Sequence, residues 1–438
     1  MFNRARAIHV GVTTTLLVAS FASPAQAETG WAVHAGARHT DNATLTDQNA
    51  VSDTITPIGG TIAYEHEGPR VQAALDGHGT YVNYLDSTFD DDFISQASGS
   101  LVFGILPETF LWTFEDTFGQ IATDQFNPVT PDNRQNVNTF ETGPDFVMRV
   151  GTQSDITLSG RYVDTTYEET DQVDSNRVYG SIAFTRHVSD NTSWGIVAAH
   201  ERTKYDAPGD PEYKQPAVYA TWQGMGARQT LTIDVGANRV EIGNDTSTKP
   251  LARVDWKRQV SPSWTLGARA VSEYRNTSDQ FVNSVALNPN TAEIGISQAP
   301  AAAYEAGLSF GFKRARTEFT LEGSYSKLDY IVDNGLNEKM WTAAVGVSRR
   351  HTPNLESFLN YRFEKRNFED NPLRDDKRQV ANIALDWRAG RNLFLTAGYE
   401  FNDSDSDSLT NKYTANVVFL MLSFRQGVLN DGPRTFTN

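Results

Sequence analysis

Hydrophobic and polar residues alternate with a period of two in many short runs along the chain. In one of them, Phe319, Leu321 and Tyr325 alternate with Glu318, Glu322 and small polar residues. Similar runs lie at 304–313, 356–364 and 381–387. Because successive side chains of a strand point to opposite faces, each run predicts a strand with one apolar and one polar face. A buried parallel sheet would give continuous apolar runs instead.

The connections between these runs alternate between short and long. Short ones, rich in Gly, Pro, Asn and Asp, lie at 67–70, 152–155, 261–263 and 389–392, and they are typical of tight turns. Long, acidic and polar ones follow the other ends of the runs. They lie at 40–53, 86–92, 123–136, 168–174, 206–214, 244–249, 277–298, 332–338, 369–376 and 403–411.

Short turns that alternate with long loops are typical of outer-membrane barrels. In hydrocarbon every backbone group must pair internally, so a sheet can cross a membrane only if it closes on itself. We therefore predict an all-β protein: a transmembrane antiparallel up-and-down β-barrel of about 20 strands, with short periplasmic turns and long acidic outer loops. A count of 18 fits nearly as well, because 277–298 can be counted differently. The alternative is a soluble periplasmic β-sandwich array or propeller.

The aromatic residues favour the barrel. All eight tryptophans lie within or at the edge of alternating runs, as expected for the aromatic girdles of a membrane barrel. The last run, 413–424, ends at Phe424, and this end resembles the terminal-strand signal that barrel-assembly machinery recognises. The polar residues after Phe424 depart from the usual ending.

The first 27 residues have the features of an export signal. Arg4 and Arg6 precede an apolar stretch at 10–22, and Ala25 and Ala27 supply the small residues before a cleavage site. We predict cleavage after Ala27, a barrel at 28–425 and a polar tail at 426–438. The apolar stretch is too short to span a bilayer, which takes about 20 helical residues.

Composition and charge exclude several functions. The 438 residues contain no cysteine, which rules out disulfides, iron–sulfur clusters and cysteine nucleophiles. The net charge is −16, or −18 once the signal and its two arginines are removed, and an acidic chain of pI about 5.0 argues against a nucleic-acid partner. A mean hydropathy of −0.46 is compatible with a barrel, because only half of each strand faces lipid.

No motif predicts an enzyme, a cofactor or a metal site. The segment 307–311 matches G-x-S-x-G, but it lies within an alternating run with no helix behind it, unlike the strand-to-helix turn of hydrolases. His200 and Glu201 lack the second histidine of a zinc motif. The aspartates at 403, 405 and 407 lack the glycine and the acidic last position of a calcium loop.

Charged residues of both signs occupy the polar faces of the runs. A midplane Arg or Lys facing lipid would cost about 2–4 kcal/mol, so we predict that these side chains line the lumen. The candidates are Asp76, Glu115, Arg161, Asp234, Arg253, Asp255, Arg269, Glu273, Glu305, Lys313, Glu318, Glu322, Arg362 and Glu364. They either serve transport or pair with one another and stabilise the wall. Asp124, Asp132 and Arg134, in the 123–136 loop, are the candidates for a constriction.

Two segments carry a family resemblance. Residues 36–45 follow the first predicted strand and read GARHTDNATL, and residues 133–144 open the sixth and read NRQNVNTFETGP. Both resemble segments of a family of β-barrel porins associated with exopolysaccharide loci and with PEP-CTERM sorting systems. The resemblance implies an outer-membrane barrel that serves polysaccharide export or the cell envelope, and it implies no catalytic residues.

Three functions follow as hypotheses. The first is export of an exopolysaccharide or related envelope glycan through a polar lumen, in which Tyr81, Tyr84, Tyr167 and Tyr219 could stack on sugar rings. The second is a general or solute-selective diffusion porin with a mild cation preference. The third is a structural surface protein whose acidic loops bridge divalent cations. The expected location is the outer membrane of a Gram-negative bacterium. The expected partners are lipid, lipopolysaccharide, the assembly machinery, polysaccharide and export-complex proteins.

Overall fold

Twenty long β-strands form one closed sheet. The computed structural model describes residues 26–170, 173–207, 209, 212–287, 294–332, 334–369 and 374–427. The strands are β1 (Gln26–Thr40), β2 (Asp53–Glu67), β3 (Val71–Tyr84), β4 (Asp92–Leu106), β5 (Phe110–Ile121), β6 (Gln135–Arg149), β7 (Ser154–Tyr167), β8 (Ser175–Ser189), β9 (Thr192–Tyr205), β10 (Glu212–Gly226), β11 (Gln229–Ile242), β12 (Asp245–Ser261), β13 (Trp264–Arg275), β14 (Ala301–Arg314), β15 (Thr317–Tyr330), β16 (Glu338–Thr352), β17 (Leu355–Phe368), β18 (Asp375–Arg388), β19 (Leu393–Ser406) and β20 (Tyr413–Gly427).

Each strand pairs antiparallel with its neighbours in sequence, and β1 pairs with β20 to close the barrel. At this seam Gly36 lies opposite Met421, and the rings of Trp31 and Phe424 are 5.5 Å apart. The structure confirms the all-β up-and-down barrel and gives a count of 20 strands rather than 18.

The two faces of the wall differ as the alternation predicts. In β9, Trp194 and Ile196 are exposed on the outer face, whereas Val197 and Glu201 are buried on the inner face. Aromatic pairs cluster on the outer face near the short turns, with 4.5 Å between the ring centroids of Trp264 and Phe312. An apolar band with an aromatic girdle is the surface that a bilayer requires.

The connections are short at one end of the barrel and mostly long at the other, which identifies the periplasmic and outer ends. The described residues of the long connections carry 14 acidic and 3 basic side chains, so the outer end is acidic. The prediction of a long loop at 244–249 is wrong. Gly243 and Asn244 form a two-residue turn, Gly243 has φ +57°, and the five residues that follow belong to β12.

A single α-helix, α1 (Thr277–Leu287), interrupts the all-β pattern within the described chain. It lies in the predicted 277–298 loop, whose sequence shows no sustained helical stripe. Its apolar positions Phe281, Val282 and Val285 span only two turns, which is too short for a clear 3.6-residue period. Among the described residues, no helix is long and apolar enough to cross a membrane.

The predicted signal at 1–27 lies almost entirely outside the described residues, which begin with Gln26 in β1. At the other end, β20 continues to Gly427, two residues beyond the predicted barrel boundary. The rest of the predicted polar tail lies outside the described chain. The segment 307–311 lies inside β14, away from any strand-to-helix turn, as its alternating neighbours indicated.

The seam leads to a first prediction. A Cβ at Gly36 would collide with the carbonyl oxygen of Leu420 and with Met421, whereas at Gly323 the nearest atom would be 4.0 Å away. We expect Gly36→Val to prevent β1 from pairing with β20, because overpacking costs typically about 1–3 kcal/mol. Gly323→Val should be tolerated. The check is heat-modifiable migration on SDS gels. Equal folded fractions for both variants would contradict the closure shown by the strand pairing.

Candidate functional site: a constriction at the outer end of the lumen

The structure places all fourteen candidate lumen residues on the inner face of the barrel. Each shares its face with buried wall residues and alternates with exposed aliphatic or aromatic side chains. Asp76, for example, follows the exposed Leu75, and Glu305 pairs in register with the inward Val271. Whether these side chains contact a transported molecule stays a prediction.

Many of these charges pair along the wall. Arg253 contacts Asp234 at 3.4 Å and Glu273 at 2.6 Å, and Arg275 bridges Glu273 at 2.9 Å to Glu305 at 2.5 Å. Other pairs join Arg269 to Glu305, Lys313 to Glu318 and Arg362 to Glu364. A ladder of alternating signs therefore follows the inner wall from β11 to β14.

Arg161 on β7 forms ion pairs and also donates hydrogen bonds to backbone carbonyl oxygens at an interruption of the β6–β7 ladder. Pro144 cannot donate to the β-ladder, and the β6–β7 register skips Gly143 and Pro144. The guanidinium of Arg161 donates to the carbonyl oxygens of Gly160 (2.8 Å) and Pro144 (3.1 Å) and to Asp145 (2.7 Å), and it also pairs with Glu141 (3.2 Å). It thus satisfies carbonyls that the interrupted ladder leaves open.

Helix α1 folds into the lumen rather than over its rim. Asn276 caps its first turn by accepting a hydrogen bond from the backbone N–H of Asp279 at 2.7 Å. The carboxylate of Asp279 then pairs with Arg177 of β8 at 2.7 Å, and both side chains are buried. Arg177 also lies 3.7 Å from Glu201 of β9, so it has one acidic partner on the helix and another on the wall.

The apolar side of α1 packs against the opposite wall. Phe281 and Val282 form a buried cluster with Ile121, Val137 and Tyr167, the inward residues at the outer ends of β5, β6 and β7. Gln96 of β4 donates to the carbonyl oxygen of Val285 at 3.0 Å. Since α1 leaves the wall at β13 and reaches β4 and β5, about nine strands away in a ring of 20, it crosses the lumen.

A second segment, 122–134 between β5 and β6, also crosses. The ring of Phe126 lies 5.0 Å from that of Phe368 at the end of β17, and Arg374 stacks on both rings. Arg374 also donates to the carbonyl oxygen of Phe126 at 2.6 Å. A cation between two aromatic faces holds the tip of this segment to the far wall.

The predicted constriction residues lie in this segment but hold its shape. Asp124 accepts hydrogen bonds from the backbone N–H of Phe126 at 2.8 Å and from Asn127 at 2.7 Å. Asp132 lies in a short 3₁₀ turn, Pro131–Asn133, and Arg134 pairs with Asp92 of β4. Gln125 and Phe126 project further across the lumen.

The two crossing segments meet near Gly295. A Cβ added at Gly295 would lie 3.1 Å from Oε1 of Gln125, and the hydroxyl of Tyr330 on β15 donates to the carbonyl oxygen of Gly295 at 3.2 Å. Tyr330 also contacts Oε1 of Gln280 on α1 at 3.4 Å. Together α1 and 122–134 form a constriction across the outer end. A polar cavity remains beside α1, lined by Glu201, Gln215, Asn238, Arg253, Glu273 and Asp279 among others.

The periplasmic end differs. On β12, β14 and β16 the inward side chains near the short turns are exposed, with 71% of the Lys313 side chain accessible, whereas inward Ser193 and Asp386 near other short turns are buried. Near the outer end, inward Tyr167 and Tyr330 are buried. Of the tyrosines proposed to stack on sugars, Tyr84, Tyr167 and Tyr219 are inward and buried. Tyr81 is exposed on the outer face and donates to Asp91. The two described segments that cross the lumen thus lie at its outer end, and the periplasmic mouth is accessible beside β12, β14 and β16.

Sequence reasoning missed α1, Arg177, Phe126 and Arg374. Arg177 and Arg374 were ordinary charges next to strand ends, and their roles depend on partners more than 100 residues away. The available signal was the unusual length and apolar content of 277–298, which distinguishes it from the other, acidic loops.

Residues 339–426, which form the last five strands, match the model of a family described as "Putative beta-barrel porin 2". The match confirms the resemblance to β-barrel porins and covers about a fifth of the chain. The segments 36–45 and 133–144 lie outside it. Among curated proteins, none matches the chain.

Several solved structures align with about nine-tenths of this chain at low sequence identity. The siderophore receptor PirA from Pseudomonas aeruginosa is 11% identical, with a TM-score of 0.46 over 92% of this chain and 81% of that one. The FrpB iron transporter (F5-1 variant) from Neisseria meningitidis is 9% identical, with a TM-score of 0.48 over 91% and 82%. The closed barrel and the family match identify a porin-like protein of the Gram-negative outer membrane.

The pairing of Arg177 yields a second prediction. Asp279→Asn weakens a hydrogen bond to a charged group, worth about 1.5–3 kcal/mol, yet leaves Arg177 its second partner Glu201. Arg177→Met leaves the buried carboxylates of Asp279 and Glu201 without their shared cation. Removing one partner of a buried ion pair costs about 3–5 kcal/mol. We expect amide hydrogen exchange in α1 to accelerate in both variants and more in Arg177→Met. Arg202→Gln, which removes an exposed pair with Glu212, is the control. Unchanged exchange in all three would contradict the docking of α1.

Proposed function

We propose that the protein exports an exopolysaccharide or related envelope glycan through its lumen and that α1 with 122–134 closes the outer end at rest. The observation that carries the proposal is the asymmetry of the lumen: two segments cross it at the outer end, whereas inward side chains near the periplasmic turns of β12, β14 and β16 are exposed. A conduit loaded from the periplasm needs this arrangement, because it admits its cargo from inside and keeps external molecules out.

The chemistry of the wall agrees with a hydrated polymer as cargo. Its charges are mostly paired, so the lumen offers hydrogen-bonding groups without a strong field of either sign between β11 and β14. Tyr179 contributes an aromatic ring to the lining of the polar cavity, and Arg253, which also lines it, lies 5.5 Å from the ring centroid of the buried Tyr219. The resemblance of segments 36–45 and 133–144 to porins associated with exopolysaccharide loci also supports this proposal.

Two kinds of contact hold α1 in the lumen, an ion pair and apolar packing, and both can be released when the constriction opens. Arg177 retains Glu201 when Asp279 leaves, so withdrawal of α1 does not strand a buried arginine. The apolar contacts of Phe281 and Val282 oppose opening, and burying each such side chain is worth about 1.5–3 kcal/mol. The closed state is therefore held mainly by packing, and a polymer that enters between α1 and the wall competes with that packing.

A diffusion porin is the second candidate, favoured by the polar cavity beside α1. In this case the cavity itself is the pathway, and small solutes pass while α1 stays in place. A planar bilayer separates the two candidates. A steady conductance with mild cation preference in the unmodified protein supports the porin, and a quiet membrane that conducts only after α1 is released supports export.

The absence of native cysteine allows a direct test of export. A Cβ at Gly119 would lie 3.2 Å from Cγ2 of Val285, so cysteines at both positions can form a disulfide that fixes α1 to β5. We expect the oxidised Gly119→Cys/Val285→Cys variant to secrete as little polysaccharide as a deletion strain, and a reductant to restore secretion.

The matched control is Ser324→Cys/Thr342→Cys, which joins neighbouring residues of β15 and β16 and crosses no part of the lumen. Its secretion should not depend on oxidation. If deletion of the whole protein leaves the amount and length of secreted polysaccharide unchanged, export is not its function. If deletion abolishes secretion but the locked variant secretes normally, α1 is not the closure.

A further inference from the structure

The periplasmic rim carries a charge pattern that the constriction does not use. Within five residues of the short turns between β10 and β19 there are ten exposed basic residues, here called the basic arc: Arg228, Lys257, Arg258, Lys313, Arg314, Arg316, Arg349, Arg350, Arg388 and Arg391. The same stretch of rim holds three acids, Glu318, Glu356 and Asp386, and Asp386 pairs with Arg425.

The remaining half of the rim has the opposite balance. By the same distance criterion, the turns from β2–β3 to β8–β9 hold three basic residues, Arg70, Arg149 and Arg186. They hold six acidic ones, Glu65, Glu67, Glu108, Asp145, Asp155 and Asp190. In a protein of net charge −16, a one-sided concentration of arginine at one mouth is an interaction surface to be explained.

Few of the arc's charges are used inside the protein. Lys313 pairs with Glu318 at 2.8 Å, Arg388 donates to the carbonyl oxygen of Arg391 in the adjacent turn, and Arg316 donates to that of His351 near the end of β16. The others have no ion-pair partner within the described chain. Exposed cations that the fold does not neutralise are available to an anion from outside.

The arc has two sets of members. Arg258, Arg314 and Arg349 alternate outward, beside the aromatic girdle, where phospholipid headgroups account for them. Lys257, Lys313, Arg350 and Arg388 are inward, one on each of β12, β14, β16 and β18. Arg228, Arg316 and Arg391 lie in the turns and face the periplasm. A headgroup layer outside the barrel cannot reach the inward row, so that row needs a partner at the mouth itself.

We propose that the inward and turn residues of the basic arc bind an acidic polysaccharide as it enters the lumen, which makes the exported glycan a polyanion that carries carboxylate, phosphate or sulfate groups. The inward row spans four alternate strands, and a chain with regularly spaced anions can contact several members at once. The long connections at the outer end carry 14 acids against 3 bases, so such a chain is attracted at the entrance and not retained at the exit. This inference rests on the proposed export function.

The test is binding of the purified full-length barrel in uncharged detergent to an alginate oligomer, with neutral dextran of equal length as the comparison. We expect alginate to bind with an affinity that falls steeply with salt, because each neutralised anion releases a counterion. The variant Lys257→Gln/Arg350→Gln/Arg228→Gln/Arg391→Gln should bind at least about tenfold more weakly and with a shallower salt slope. Arg70→Gln/Arg149→Gln/Arg186→Gln, from the other half of the rim, should bind like the parent protein.

Three results would overturn the proposal: equal binding of dextran and alginate, an unaltered alginate affinity in the arc variant, or an equal loss in the control variant. If the arc variant instead loses only co-purified anionic phospholipid, the arc is a lipid contact. If it loses only capture of an acidic periplasmic protein, the partner is a protein. Binding in detergent does not depend on secretion, so alginate binding with normal secretion in a deletion strain would reject export but keep the anion site.

Discussion

A backbone inside hydrocarbon has no water to bond to, so every N–H and C=O in the membrane must find a partner within the protein. In this chain one ladder of hydrogen bonds, closed between β1 and β20, meets that requirement for all twenty strands. The close approach at Gly36, the inward direction of the charges and the outward direction of the tryptophans are consequences of closing it. Backbone that does not belong to the sheet can lie at membrane depth only where it contacts protein or water. The lumen meets this condition, and α1 lies there.

The polar interior follows from the same constraint. A wide and unobstructed lumen would let solutes cross the outer membrane freely. Two segments from different sides of the wall cross it and contact each other near Gly295. Each is anchored by a different interaction: α1 by apolar packing and the Arg177–Asp279 pair, and 122–134 by Arg374 between two phenylalanine rings. Two independent anchors allow one segment to move while the other stays.

Period-two alternation sufficed to predict the barrel, the strand count and the inner face, because each strand repeats the same local rule about lipid and water. The constriction could not be predicted in this way. Phe281 and Phe126 contact residues that are distant in sequence, and nothing in their neighbours says which wall they reach. The predicted constriction segment 123–136 lies across the lumen, but its charged residues Asp124 and Arg134 hold the loop's shape, and whether it limits passage stays a prediction. The two-residue turn at Gly243 was not predicted, because residues 245–249 are as polar as a loop although they belong to β12.

Arg161 has a consequence for the segment 133–144, which resembles a segment of β-barrel porins. That segment ends at Gly143 and Pro144, where a Cβ on Gly143 would collide with the carbonyl oxygen of Gly160 and where Pro144 interrupts the ladder. A Gly-Pro pair on one strand therefore depends on an arginine on the next that satisfies the exposed carbonyls. The Gly-Pro pair and the arginine stabilise an interruption of the sheet, and they do not contact a transported molecule by this role. A distant barrel with the same Gly-Pro/Arg arrangement shares ancestry or architecture with this chain. The molecule that such a barrel transports is indicated by the residues of its periplasmic mouth and its constriction.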